Sequence, residues 1–314
     1  MKILLTGGTG FFGKSILDSY RRKLLEPWKI DNVIIMSRNP YTLTNHHPEL
    51  ITDGVEYFKG DISNIDYLPS ADYVIHAAAS SNASRYISHN LEEKDNIVSG
   101  TSNYCRLAEE FHTKSKIVFC SSGAVYGYQP DSLMFLSEDS EFGDVSKLDD
   151  VKKSYAYAKR QSESEINTLG EKNMNVSIAR CFSFVGKYLP RNQHFAIGNF
   201  IDNGVNGYEI NVKAERLVYR SYMYADDLVT WLMTLASISD SKCPIYNVAS
   251  DKAVEIRELA KIMSKICNVG VRSIEPNNNS IVDRYIPSIE KAKSELGLSL
   301  EYGLEKSIRL SINK

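Results

Sequence analysis

The 314-residue chain has no apolar run of about 18 residues and no charged leader ahead of an apolar stretch. Neither a membrane span nor a signal peptide is indicated, and a cytoplasmic location is expected. Charge of neither sign dominates: 37 Lys and Arg stand against 39 Asp and Glu, a net charge of −2, which leaves no footprint for nucleic acid. Cysteine is sparse and odd in number. Cys105, Cys120, Cys181, Cys243 and Cys267 form no CxxC pair, which favours reduced, packed thiols over a disulfide framework or a zinc site. The histidines likewise fall in no metal-ligand spacing, so no metal is expected. Repeats, low-complexity tracts and long linkers are also missing, so the whole chain should form one unit of two lobes.

What is present is a strand feeding a glycine turn. Met1 to Leu5 runs into Thr6-Gly7-Gly8-Thr9-Gly10-Phe11-Phe12-Gly13, and the helical stretch from Lys14 to Lys23 follows. A pyrophosphate needs this combination: backbone approach without a Cβ, unpaired N–H donors and the positive end of a helix dipole. Apolar strands at Val33 to Met36, Glu56 to Phe58, Tyr73 to Ile75, Ile117 to Phe119 and Val176 to Ile178 alternate with helices at Ile16 to Leu25, Ile97 to Phe111 and Tyr155 to Leu169. Such alternation predicts an α/β fold, a Rossmann-type doubly wound parallel sheet with helices on both faces. The rhythm is lost from about Gly186 to Val218. A dinucleotide-binding domain over residues 1–185 and a smaller C-terminal α/β substrate lobe over 186–314 are therefore expected, with some chain exchange between them. Val254 to Cys267 and Ser288 to Leu296 are expected to be helices of the lobe.

Tyr155-Ala156-Tyr157-Ala158-Lys159 places a phenol and an ammonium four residues apart, hence on one helical face. Lys159 there favours the tyrosinate of Tyr155, whose ordinary pKa is about 10. Tyr157 projects about 200° away around the helix and is expected to pack in the core. A hydroxyl at the C-terminal end of the Ile117 to Phe119 strand, Ser121 or Ser122, would lie where open α/β sheets bind ligands.

In this order the motifs resemble the extended short-chain dehydrogenase/reductase family, the branch of nucleotide-sugar epimerases, dehydratases and 4-ketoreductases. Gly7, Gly10 and Gly13, then Gly60-Asp61-Ile62, His76-Ala77-Ala78-Ala79, Asn96, Ser121-Ser122-Gly123-Ala124-Val125-Tyr126-Gly127 and Tyr155-x3-Lys159 carry it. Arg220-Ser221-Tyr222, Tyr246-Asn247-Val248 and Lys291-Ala292 continue it to the end of the chain. The resemblance implies that Ser122 polarises a sugar oxygen, Tyr155 transfers the proton, and Lys159 holds the nicotinamide ribose. It also implies a cofactor wall of Gly7, Thr9, Gly10, Phe11, Phe12, Gly13, Asp61, Ile62, Ala77, Ala78, Ala79, Asn96, Ser121 and Phe182. A nucleotide-diphosphate sugar would meet Ser80, Ser183, Phe195, Asn199, Phe200, Val212, Arg220 and Arg284, with the Arg220 fork on the diphosphate. The segment from His194 to Phe200 would serve the diphosphate and base. A homodimer through the helices around Ile97 to Phe111 and Tyr155 to Leu169 is implied as well.

Two local features refine the reaction. Ser37-Arg38, at the end of the second strand, offers a hydroxyl and a guanidinium where a 2′-hydroxyl binder would place an acid, which favours NADP(H) over NAD(H). Similar 4,6-dehydratases carry Asp-Glu after the catalytic hydroxyl, whereas this chain has Gly123-Ala124, which cannot move protons. Reduction of a 4-keto-6-deoxyhexose by NADPH, as in enzymes of bacterial surface-polysaccharide sugars such as dTDP-4-keto-6-deoxyglucose reductases, is the expectation. A 4-epimerase holding NAD is the alternative, with a non-catalytic dinucleotide sensor further behind. Ser183, Lys213-Ala214-Glu215-Arg216 and Ser288 depart from the family pattern around the sugar and base.

Overall fold

Runs such as Ile3-Leu4-Leu5, Ile34-Ile35-Met36 and Val74-Ile75 show no polar alternation, and they suit only strands covered on both faces. A computed structural model describes residues 1–79, 90–191, 193, 195–277 and 280–312. The first elements are β1 (Lys2–Thr6), α1 (Phe11–Arg21), β2 (Asn32–Ser37), α2 (Thr42–His46), β3 (Val55–Lys59) and β4 (Tyr73–His76). Next come α3 (Asn90–Phe111), β5 (Lys116–Ser122), α4 (Asp150–Glu171), β6 (Asn175–Cys181) and β7 (Phe184–Val185). They are followed by α5 (Ala196–Val205), β8 (Ile210–Val212), β9 (Val218–Arg220), β10 (Met223–Tyr224), α6 (Ala225–Ser237) and β11 (Ile245–Val248). The chain finishes with β12 (Val254–Glu255), α7 (Ile256–Cys267), β13 (Val271–Ser273), β14 (Asp283–Tyr285), α8 (Glu290–Leu296) and α9 (Leu304–Ile312).

Seven strands form one sheet in the order β11-β6-β5-β4-β1-β2-β3. This is the expected doubly wound α/β fold, and the strand order reverses between β1 and β4, the switch point at which such sheets bind ligands. One face of the sheet, with Leu4, Ile34, Val74, Ile117 and Ile178, is sealed by Tyr104, Leu107 and Ala108 of α3 and by Ile166 and Leu169 of α4. Burying side chains of this kind stabilises by about 1.5–3 kcal/mol each, which is what holds α3 and α4 in place.

The chain divides into two compact units. The first comprises Met1–Val125, Leu148–Arg180 and Val229–Tyr246, and the second Tyr126–Lys147, Cys181–Leu228 and Asn247–Lys314. In the second, the fully buried Asn247 acts as a hub. Its Oδ1 accepts from Tyr126 Oη at 2.8 Å, and its Nδ2 donates to the carbonyls of Leu136 (2.9 Å) and Ser288 (3.0 Å).

Element ends differ from the sequence pattern for local reasons. Helix α1 stops at Arg21 instead of Leu25, because Lys23 turns left-handed at φ 62° and Leu24 N–H donates back to Ser19 O. Val254 and Glu255 are drawn from the predicted helix into β12 by pairing with Arg220 and Tyr219 of β9. Glu255 then caps α7 by accepting from Arg257 N–H. Helix α8 begins at Glu290, since Ser288 donates its N–H to Leu136 O.

Candidate active site

The glycine turn lies at the switch point. Gly7 has φ +72°, and a Cβ there would sit 2.6 Å from Ala77 O, so the turn after β1 packs directly on the Ala77-Ala78 backbone after β4. A Cβ on Gly13 would stand 2.1 Å from Gly8 O, which makes glycine the condition for α1 to approach the turn. Gly10 caps α1 without a side-chain hydrogen bond, so no side-chain cap competes for the positive end of the helix dipole. Thr9, Phe11 and Phe12 are half-buried around it. At the end of β2 the Ser37 hydroxyl is buried without a partner, and Arg38 beside it is exposed and joined to no acid among the described residues. An orphaned hydroxyl, an unpaired guanidinium and an uncapped glycine-lined helix start fit a dinucleotide.

Other expected cofactor residues have different surroundings. Asp61 Oδ1 accepts from Ser63 N (3.1 Å) and Oγ (2.9 Å), turning the chain after β3, while Ile62 packs against the core. Ala79 is exposed. Asn96 is exposed on α3, because the α3 face that meets the core is that of Ile97, Gly100, Thr101 and Tyr104. Ser80 and His194 lie outside the described residues.

Ser122 closes β5. Its Oγ accepts from Ala124 N–H at 3.2 Å, which leaves the hydroxyl proton free to donate. Asp149 begins α4 by accepting from Lys152 N–H at 2.9 Å, one turn and a half before Tyr155. The Tyr155 ring is half-buried and packs, as Val98 and Val151 do, against the cluster of Ile97 and Ala158. Lys159 is buried, with Nζ 5.9 Å from the Tyr155 ring centroid and 4.8 Å from that of Phe119, and it donates to Cys120 O at 2.9 Å. Phenol and ammonium thus share a face, as the four-residue spacing requires. Tyr157 corrects the sequence reading: it is 44% exposed and lines a shallow groove with Leu91, Lys94, Asp150 and Lys153 instead of packing in the core. The core-facing side of α4 is filled by Ala158, Lys159, Ser162 and Glu163, and a residue two after Tyr155 points away from it.

Sequence reasoning passed over what Ser121 does. Its Oγ donates to Glu163 Oε1 at 2.5 Å, and Arg180 Nη2 donates to Glu163 Oε2 at 2.9 Å, all three residues being buried. The hydroxyl is committed inside the unit instead of to a cofactor. The spacing of Glu163, one helical turn after Lys159, places it on the same face of α4 but carries no sign of Ser121 as its partner.

In the second unit, Arg220 Nη1 meets Asp283 Oδ1 at 2.9 Å and Tyr219 O at 2.8 Å, and its guanidinium lies 6.0 Å from the Tyr285 ring. Arg216 reaches the same carboxylate at 3.3 Å. Arg216, Arg220, Asp283 and Lys213 line an open groove of about 570 Å³. Arg284 does not join Arg220. Strands β9 and β14 run parallel with Arg284 opposite Tyr219 and Tyr285 opposite Arg220, so strand alternation sends Arg284 to the other face, 4.9 Å over the Tyr219 ring. Phe182 stands between Tyr126 and Tyr285, at 6.1 and 4.6 Å. Ser183 O accepts from Met223 N–H. Asn199 donates to Gln193 O at 2.7 Å while its Oδ1 is buried and unpaired, and Phe195 precedes α5 half-buried. Phe200 and Val212 are buried in the packing of α5 and β8.

A model of the NAD dependent epimerase/dehydratase family matches residues 3–249. The chain belongs to this family. Among epimerase/dehydratase relatives, UDP-glucuronic acid decarboxylase 5 of Arabidopsis thaliana is 26% identical over 320 residues, covering 99% of this chain and 88% of the plant protein. The UDP-glucose 4-epimerase of Thermotoga maritima, solved with UDP-glucose, superposes with TM-score 0.79 at 18% identity over 99% of this chain and 97% of its own. The dTDP-glucose 4,6-dehydratase of Bacillus anthracis, solved with NAD, gives 0.78 at 18% identity over 99% and 95%. Among the described residues, no helix is long and apolar enough to cross a membrane.

Proposed function

We propose that this family member reduces the C4 ketone of a nucleotide-linked 4-keto-6-deoxyhexose. The observation that carries the reading is Ser122 with its hydroxyl proton free, followed by Gly123 and Ala124, which supply neither acid nor base for elimination. Carbonyl reduction needs only a donor to the oxygen and a proton source, and Ser122, Tyr155 and Lys159 supply both. A bound reduced nicotinamide supplies the hydride. Ser122 donates to O4, Tyr155 gives its phenolic proton to that oxygen as the C–H bond forms, and the Lys159 ammonium stabilises the tyrosinate left behind until solvent reprotonates it.

The glycine turn, the α1 start and Ser37 hold the cofactor, and Arg38 is assigned to a 2′-phosphate, so NADPH is preferred. The substrate class is supported by the relatives' names, each of which specifies a nucleotide-diphosphate sugar. Arg220 is the proposed diphosphate anchor, exchanging its Asp283 contact for phosphate, and Phe195 and Asn199 are assigned to the nucleotide. A homodimer would use the outward faces of α3 and α4, where Leu91 and Tyr157 are exposed.

The second reading, a 4-epimerase with retained NAD, is favoured by the likeness to a UDP-glucose 4-epimerase. Incubation with a dTDP- or CDP-linked 4-keto-6-deoxyhexose and NADPH decides between them. Stoichiometric loss of reduced-nicotinamide absorbance is expected. Interconversion of 4-hydroxyl epimers without added cofactor would establish the epimerase instead.

A further inference from the structure

The buried ion pair beneath the end of β5 has no part in the chemistry described so far. Glu163 is 7% exposed and Arg180 5%, so both charges are enclosed. Burying two charges is costly, and an apolar pair of similar volume often serves stability as well or better, so stability alone is a weak reason for its presence. Its connections are more informative. Glu163 lies on α4 four residues after Lys159 and eight after Tyr155, on the face that carries both. Glu163 Oε1 takes the Ser121 hydroxyl at 2.5 Å and Arg180 Nε at 3.1 Å, while Oε2 takes Arg180 Nη2 at 2.9 Å. Ser121 is the neighbour of Ser122, and Lys159 is tied to Cys120 O at 2.9 Å on the same strand. Arg180 is rooted in β6.

We infer that Glu163 is a positioning residue, which locks the face of α4 that presents Tyr155 and Lys159 to the end of β5 that presents Ser122, with Ser121 as the latch and Arg180 as the counter-ion and strut. The two-pronged Arg180 contact fixes the carboxylate plane, so the one oxygen aimed at Ser121 has a defined direction. Lys159 and Glu163 pin the helix to adjacent residues of one strand, and two pins remove the sliding and rolling that a single contact would permit. A lateral error of about 1 Å between proton donor and hydroxyl costs on the order of a hundredfold in rate, so a rigid link here acts on turnover. The inference rests on the proposed roles of Ser122, Tyr155 and Lys159.

The test compares Glu163→Gln with the apolar double replacement Glu163→Met/Arg180→Leu, measuring kcat, KM, NADPH affinity and melting temperature. Fluorine NMR of 3-fluorotyrosine-labelled protein is added, with the Tyr155 resonance assigned by its loss in Tyr155→Phe. Glu163→Gln is expected to lower kcat about tenfold or more with KM and NADPH affinity unchanged, and to move the Tyr155 resonance. Glu163→Gln takes the carboxylate charge from beside the buried Arg180 and can unfold the protein, which is why the double variant matters. That variant should melt close to wild type and still show the reduced kcat and displaced resonance. Wild-type kcat and an unmoved Tyr155 resonance in a well-folded double variant would overturn the positioning role. If wild-type protein turns over no 4-keto sugar, the reductase reading fails, and the fluorine resonance still decides for or against Glu163.

Discussion

A tyrosine that is half-buried beside a buried lysine is useful only if its oxygen can both hold and release a proton, and this makes the Tyr155 hydroxyl separable from the rest of the ring. Tyr155→Phe keeps the packing against the Ile97 and Ala158 cluster and removes only the oxygen. Turnover is expected to fall at least a thousandfold while NADPH affinity, measured by fluorescence titration, changes less than about twofold. Retained turnover would remove Tyr155 from the mechanism. Arg38 is the other residue whose role can be isolated, since it is exposed and contributes no packing. Arg38→Asp should invert the preference from NADPH toward NADH, by one to two orders of magnitude in the ratio of kcat/KM, as a cation on the 2′-phosphate is replaced by an acceptor for the 2′-hydroxyl. At this scale the sequence was legible where spacing alone decides geometry, as for Tyr155 and Lys159. It was not legible for Ser121 and Arg284. Their side chains are directed by a residue far along the chain and by the register of β14 on β9.

Elements depend on contacts that no local pattern announces. Asn247 reads as one residue of a Tyr-Asn-Val strand, yet it joins Tyr126, Leu136 and Ser288. Asn247→Ala would remove the hydrogen-bond partner of the buried Tyr126 hydroxyl and of the Ser288 carbonyl, while Leu136 O keeps the Ser288 N–H. A loss of about 3 kcal/mol, seen as a lower urea midpoint with unchanged slope, is expected from the usual cost of such orphaned groups. A loss under about 1 kcal/mol would show that water takes over the vacancy. Helix ends were legible to within about a turn, because periodicity acts locally, whereas α3 and α4 start at Asn90 and Asp150, seven and five residues ahead of the expected Ile97 and Tyr155. The displaced ends of α1 and α7 arise from a left-handed Lys23 and from strand pairing at Val254, and neither has a strong sequence signature.

For the molecule as a whole, two buried groups pull stability in opposite directions with pH. Burial, helped by the Lys159 charge, pushes the His76 imidazole down from 6.5 to about 3. The unfolded chain therefore binds the extra proton between those values, and this contribution, complete above pH 6.5, is lost as pH falls toward 3. Burial pushes the Asp227 carboxyl up from 3.8 to about 6 against the pull of the Glu301 and Tyr302 N–H groups. Here the native state holds the extra proton, so stability falls as pH rises from 3.8 to 6. Between pH 4 and 6 each group differs by about one proton between the two states and with opposite sign, so the two trends nearly offset and the wild-type melting temperature is expected to change little there. Asp227→Asn removes the opposing trend and should unmask a rise in melting temperature from pH 4 to 6.5. A flat profile in both proteins would mean that neither group is held as described.

The sequence by itself determined the doubly wound sheet, the glycine turn at its switch point and the shared face of Tyr155 and Lys159. Hydrophobic runs, missing Cβ atoms and helical periodicity act within a few residues and need no distant partner. Only the tertiary structure decided that Tyr157 faces outward, that Arg284 leaves Arg220, and that Ser121 is latched by Glu163 and Arg180. Those outcomes depend on which strand lies beside which and on the few buried polar groups that must find partners across the sheet, and a linear pattern carries neither.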